Sequence, residues 1–192
     1  ATKQSFEALI EYYVQAEDFK VITLKLFDTY GETDTRPKLI NLLNKFADEE
    51  TELYNLIMQY RYSKGLSKIP LSKSLTFVAQ THVKDLVNNN PHNSSFSSGC
   101  NGHSWSNKGN WTPCCYTSDH ARSECMWSKP SELTSYKGNG YEIGHWDSGI
   151  ATAEGALSGW KRSSGHNAVI INQGVWSSHP WKAIGIGIYK GF

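Results

Sequence analysis

The stretch Trp160-Lys161-Arg162-Ser163-Ser164-Gly165-His166-Asn167 decides how this chain is read. It follows a helix-like run, 151–160, and precedes an apolar run, Ala168-Val169-Ile170-Ile171. Glycine takes backbone angles closed to other residues, so Gly165 is expected to turn the chain sharply and aim His166 off the helix end. Trp160 before the turn and the branched run after it would hold that imidazole on rigid supports. A histidine so placed suits metal ligation or proton transfer near neutral pH. The plain alternative is an ordinary, satisfied histidine at a helix end, so the residues that accompany it decide.

Composition narrows the classes. The 192 residues carry 19 Lys+Arg against 18 Asp+Glu, a net charge of +1. Nucleic-acid binding needs a basic face or stripe, and no such run is present. No apolar stretch approaches membrane-spanning length. Ala1 opens a polar, amphipathic segment that lacks the hydrophobic core of a signal peptide. The length suits one good-sized domain, or one domain plus an extension.

Cys100, Cys114, Cys115 and Cys125 all lie in one short region rich in Asn, Ser, Gly and Trp. Such a segment buries little apolar surface, so covalent closure would help to order it. A bond between adjacent Cys114 and Cys115 would be strained. Cys100 is therefore expected to pair with one of them and Cys125 with the other. A zinc site is the competitor, but no CxxC pair is present. Disulfides point to an exported, secreted or periplasmic protein.

Taken in order, residues 1–47 read as a helical N-terminal extension, with Phe6, Ile10, Tyr13 and Val14 at helix spacing. Within it, Asp34 or Thr35 caps a helix that opens near Pro37. The main domain, 48–192, begins with a helix over 48–63 that Gly65 terminates, followed by a second helix over 72–88. His82 stands one turn after Val78 beside the apolar stripe of that second helix, where packing is at least as good a reading as function. From 89 to 141 the chain reads as loop. Tyr141-Glu142-Ile143 reads as a strand. Ala183-Ile184-Gly185-Ile186-Gly187-Ile188-Tyr189 alternates strictly, as a strand does. Its three Ile side chains would face one layer, while the two Gly leave the other face open to close approach.

His103, Glu142 and His166 form the candidate trio, placed on a loop, a strand and a post-helix turn. Two imidazoles and a carboxylate suit Zn²⁺ or another divalent ion with positions left for water. Without metal the same groups could transfer protons.

Several further stretches resemble one family. Glu52-Leu53-Tyr54-Asn55-Leu56-Ile57 with Tyr60-Arg61, Leu66 and Pro70-Leu71 resembles the first helix and turn of bacterial CAP-domain proteins. That superfamily covers cysteine-rich secretory, antigen 5 and plant pathogenesis-related proteins. Phe77 to His82 resembles its second helix, and His103-Ser104 its first site histidine. Gly159-Trp160 followed by Ser164-Gly165-His166, Ala168 and Ile170 resembles its helix-to-turn signature, and Ala183 to Gly187 its closing strand. The likeness covers about 48–192. It implies an α+β fold, a three-layer α-β-α sandwich, with a cleft lined by His103, Glu142, His166 and Ser163. The family's metal site would map to His103, His166 and Glu142. Ser163 stands about where the family's second Glu would fall, as in many bacterial members, and the usual Glu-Asn-Ile becomes Glu142-Ile143. The missing acid weakens any protease reading.

His120 and His145 read as loop residues, and Glu154 as a solvated helical charge. Trp105, Trp111, Trp127 and Trp146 would either floor a groove for sugars or lipids or serve as the loop region's substitute core. Three functions compete. The first is a module binding a lipid, sterol, cell-wall fragment or partner protein, with or without a divalent ion. The second is a hydrolase working through metal-bound water. The third is a structural or adhesion domain with a vestigial site. Neither a Gly-x-Ser-x-Gly elbow nor a His-Glu-x-x-His motif supports the hydrolase. Ser104, Ser163 and Ser164 lie near the trio, without a visible oxyanion hole.

Overall fold

The computed structural model describes residues 39–92, 99–149 and 151–190, with side chains from 49 onward. Most of the expected 1–47 extension therefore lies outside the described residues. The first described element is one 25-residue helix, α1, Leu39–Ser63, where two were expected. Asp48-Glu49-Glu50-Thr51-Glu52 contains neither Gly nor Pro, so nothing interrupts the helix there. It ends as expected at Gly65, whose φ of +74° lies in the left-handed region. Leu66 N–H donates back to Arg61 O at 3.0 Å, closing the end of the helix.

Helix α2, Lys73–Asn89, is capped by Ser72 Oγ, which accepts from Leu75 N–H. Two short helices follow, α3 (Glu124–Trp127) and α4 (Lys129–Leu133). Then come α5, Ala153–Arg162, and α6, Ser164–Ile170. A single 3-10 turn, Gly174–Trp176, follows α6. Thr152 Oγ1 caps α5 by accepting from Gly155 N–H at 3.0 Å.

The signature turn is built differently from the expectation. Ser163, extended at φ −90° and ψ 115°, ends α5 and caps α6. Gly165 lies inside the first turn of α6 and is not among the described glycines of positive φ. The redirecting residue is thus the capping serine, and the run Ala168–Ile170 is helical.

One apolar core joins α1, α5, α6 and the C-terminal segment. Leu53 and Ile57 of α1 meet Ala156, Leu157 and Trp160 of α5, with Ile170 and Ile186 closing the cluster. Tyr60 Oη donates to Asn167 Oδ1 at 2.9 Å, and buried Arg61 donates to Ile170 O, so α1 also grips α6 through polar contacts.

The α-β-α sandwich expected from the family likeness is not what the chain forms. No β-strand occurs among the described residues, which are dominated by helix. Among the described residues there are isolated bridges between Leu71 and Ile184, Cys100 and Thr117, and Trp105 and Cys114. The reason is visible at both expected strands. Segment 183–189 pairs once, through Ile184 N–H to Pro70 O and Ser72 N–H to Ile184 O. A Cβ on Gly185 would fall 2.1 Å from the backbone carbon of Leu75, and one on Gly187 2.4 Å from that of Ala79. The bare glycine face therefore lies directly on the α2 backbone, and Ile186 faces the core. Around Glu142 the backbone N–H is spent on Met126 Sδ at 3.1 Å rather than on a neighbouring strand.

Candidate functional site

Residues 99–125 form a cross-linked loop that carries His103. The disulfides are Cys100–Cys115 and Cys114–Cys125, one of the two pairings left open by the adjacent cysteines. Trp105 and Cys114 exchange backbone hydrogen bonds at 2.8 and 2.9 Å. Trp105 is buried, and Trp111 meets it edge-on at 5.2 Å while donating its indole N–H to Ser106 O. These two rings act as the small core of the loop. Trp127 and Trp146 remain 39 % and 62 % exposed. Buried Lys129 fastens the loop to α4: its ammonium donates to Thr112 O and to Glu132 and lies over the Trp105 ring.

The segment carrying Glu142 is held against α5. Trp160 donates its indole N–H to Gly144 O at 2.9 Å. The His145 ring rests on Gly159, where an added Cβ would come within 2.9 Å of ring atoms. That close approach accounts for glycine at 159.

At the centre, the Glu142 carboxylate joins two imidazoles. Oε1 lies 2.6 Å from His103 Nδ1, and Oε2 lies 3.0 Å from His82 Nδ1. His82 is buried on α2, and its Nε2 lies 3.0 Å from Ser104 O. A carbonyl and an ionised carboxylate only accept, so both His82 nitrogens must donate and the ring is an imidazolium. Its face stacks on Trp105 at 4.4 Å and 9°, a cation–π arrangement. Burial alone would push Glu142 up. The adjacent His82 charge and the hydrogen bonds from His103 and His82 overcome that and hold it at about 2. Burial likewise pushes His82 down, but Glu142 and the Ser104 carbonyl outweigh it, and the net direction is up.

His103 donates its Nδ1–H to Glu142, so whenever the ring is neutral its Nε2 is the acceptor. Tyr116, buried, meets this ring edge-on at 5.2 Å. His166 stands on the first turn of α6, and its pKa is lowered by partial burial and then by the charges of His103 and His145. It thus lies within electrostatic reach of His103, although its ring makes no hydrogen bond among the described residues. Ser163 contributes its hydroxyl to the α6 cap.

The expected zinc set can be tested on this geometry. Both Glu142 oxygens are committed to imidazoles, and no group of three or more His, Cys, Asp or Glu side chains among the described residues is arranged to hold a metal ion.

His82 is the site residue that sequence reasoning set aside. The available signal was Asp85, three residues later on the same helix. Asp85 is also buried, and it accepts from Ser106 N–H at 2.7 Å, Ser106 Oγ and Asn89 Nδ2. The pair pins the His103 loop onto α2 from both sides of the turn.

The model of the cysteine-rich secretory protein family, CAP, matches residues 54–190, which include His82, His103, Glu142 and His166. No curated protein and no solved structure is similar enough to the chain to match it. A family match over most of the chain, containing every element that builds the imidazole–carboxylate site, shows that this protein belongs to the CAP, or cysteine-rich secretory protein, family.

Proposed function

We propose that this is an exported CAP-domain protein, of the bacterial type, that binds a ligand or partner at the His82–Glu142–His103 site. The observation that carries the reading is one carboxylate shared by two imidazoles at 3.0 and 2.6 Å. In the neutral ring that arrangement makes His103 Nε2 an acceptor, suited to a hydroxyl, amide or other donor on a lipid, sterol, cell-wall fragment or protein. Export, to the outside or to a periplasm, is supported by two disulfides in a 26-residue stretch. No helix among the described residues is long and apolar enough to cross a membrane.

A hydrolase is the second reading, favoured by the short His103–Glu142 contact, which is how a carboxylate orients a general base. Native mass spectrometry of protein exposed to lipid and cell-wall extracts separates the two. A binding module retains a molecule unchanged and loses it in His103→Ala. A hydrolase turns over a peptide or ester pool, and turnover disappears in Glu142→Gln. If neither variant differs from wild type, the site is vestigial and the structural or adhesion role stands. Zinc titration is a separate arm, because each Glu142 oxygen already accepts from an imidazole. Tight binding that His103→Ala with His166→Ala abolishes would restore the metal reading.

A further inference from the structure

The chain carries two methionines, Met58 and Met126, and both use the side-chain sulfur as a hydrogen-bond acceptor. Ile69 N–H donates to Met58 Sδ at 3.2 Å, and Glu142 N–H donates to Met126 Sδ at 3.1 Å. Their surroundings differ. Met58 is buried in the helical core, in one cluster with Leu53, Ile57 and Ile69. Met126 is half-buried and packs at the edge of the loop's small cluster of Cys114, Tyr116 and Cys125. Oxidation at sulfur needs direct approach of the oxidant, so the more open thioether is the one that reacts.

Met126 also stands where the imidazole–carboxylate site is anchored. Two backbone donors of the segment that carries Glu142 end on α3. Gly140 N–H donates to Trp127 O at 2.9 Å, and Glu142 N–H donates to the Met126 sulfur. The first contact is tight, since a Cβ on Gly140 would come within 2.6 Å of the Pro130 ring and 3.3 Å of Met126 O. The second holds the residue whose carboxylate reaches His103 at 2.6 Å and His82 at 3.0 Å. The cluster against which Met126 packs includes Tyr116, whose ring meets His103 edge-on at 5.2 Å. One side chain thus borders both the carboxylate and the neighbour of an imidazole.

We propose that Met126 is a modification site, and that conversion of its thioether to the sulfoxide loosens Glu142 from His103 and His82. The oxidant is a peroxide. A sulfur lone pair attacks the nearer peroxide oxygen, the O–O bond breaks and an S–O bond forms. Sulfur gives up two electrons, and the departing hydroxide takes the proton of the transferred oxygen and leaves as water. Oxygen on the lone pair that faces Glu142 stands between sulfur and donor and pushes the backbone away. Oxygen on the other lone pair leaves a positively polarised sulfur, a poor acceptor for the same N–H. Either epimer turns a flexible apolar support into a polar one. No β-strand occurs among the described residues, so no strand neighbour holds the Glu142 segment in place of the sulfur. As regulation of ligand binding this rests on the function proposed above; the loosening of the site does not.

The test treats the full chain with dilute hydrogen peroxide and follows both methionines by peptide mass spectrometry. Met126 is expected to gain one oxygen roughly fivefold faster than Met58, or more. With ¹⁵N-labelled histidines, the His103 Nδ1 and His82 signals should both shift away from their hydrogen-bonded positions in the oxidised protein. Treatment with the two methionine sulfoxide reductases, one for each epimer, should restore them. Met58→Leu, which keeps Met126, should respond to peroxide as wild type does, and Met126→Leu should not respond. If a thermal melt shows that Met126→Leu has lost its fold, the Met58→Leu response and its reversal by the reductases carry the comparison. Oxidation of both sulfurs at one rate, or full oxidation of Met126 with unchanged histidine signals, would overturn the proposal. The readout uses no ligand, so a protein that retains nothing from lipid or cell-wall extracts would sink the binding reading and leave this result standing.

Discussion

Where Leu53 of α1 meets Trp160 of α5 the chain is held by apolar burial, whereas from Cys100 to Cys125 it is held by two cross-links and by polar contacts. The helical region shares one cluster across α1, α5, α6 and Ile186. The loop region has a small cluster of Cys114, Tyr116 and Cys125, plus Trp105 and the buried Lys129–Glu132 pair. The site draws on both: His82 stands on a helix, His103 on the cross-linked loop, and Glu142 on an extended segment tied to α5. The contrast teaches that buried polar groups can be held on a segment too polar to fold by burial, provided that covalent bonds and an ion pair to a helix fix it.

Separating the two supports should give the largest effect. Reduction of both disulfides is expected to cost about 2–5 kcal/mol for each bridge. Hydrogen exchange should then show residues 100–125 losing protection while α1 and α5 amides keep theirs. Equal loss in both regions would mean that the loop and the core unfold as one unit.

Next in size, Leu157→Ala should destabilise the helical core by about 2–5 kcal/mol in denaturant melts, because Leu157 is buried where α1 packs on α5. The two disulfides should remain intact, by mass after alkylation. A change below about 1 kcal/mol would mean that α5 is not the support assigned to it.

A smaller effect follows from pH. Glu142 is held below its ordinary 4.5, at about 2, so the stability it confers is present above 4.5 and is lost as pH falls toward 2. His82 is raised above 6.5, so its contribution is full below 6.5 and fades as pH rises through the folded value. His166, lowered and more exposed, works weakly in the other direction. Thermal melts should therefore show stability declining on both sides of pH 4.5–6.5, with the alkaline decline absent in His82→Gln. The smallest effect expected is Thr152→Ala, about 1 kcal/mol from loss of the α5 cap, with no change at the loop.

Much of the helical half was legible. Apolar spacing and the Ser72 and Gly65 signals placed α2 and the end of α1, because capping and periodicity are local. The cysteine pairing was reduced to two choices by the adjacency of Cys114 and Cys115, and only the folded loop distinguishes them. The sandwich was not the outcome. The Ile–Gly alternation of 183–189 correctly marked a bare face, but what covers that face is the backbone of α2, which no strand pattern reveals. His82 was missed for a related reason. Its partner Glu142 lies 60 residues away, and a histidine beside an apolar stripe looks like packing until the carboxylate arrives. The Tyr141–Trp176 ring contact likewise joins residues far apart in the sequence.

The account rests on Glu142 joining a doubly protonated His82 to His103, and imidazole nitrogen NMR tests this most directly. With ¹⁵N-labelled histidines at pH 6–7, His82 should show both ring nitrogens protonated, and His103 should carry its proton on Nδ1 when neutral. In Glu142→Gln both signatures should be lost together. A His82 ring with one bare nitrogen, or a neutral His103 protonated on Nε2, would contradict the shared-carboxylate site.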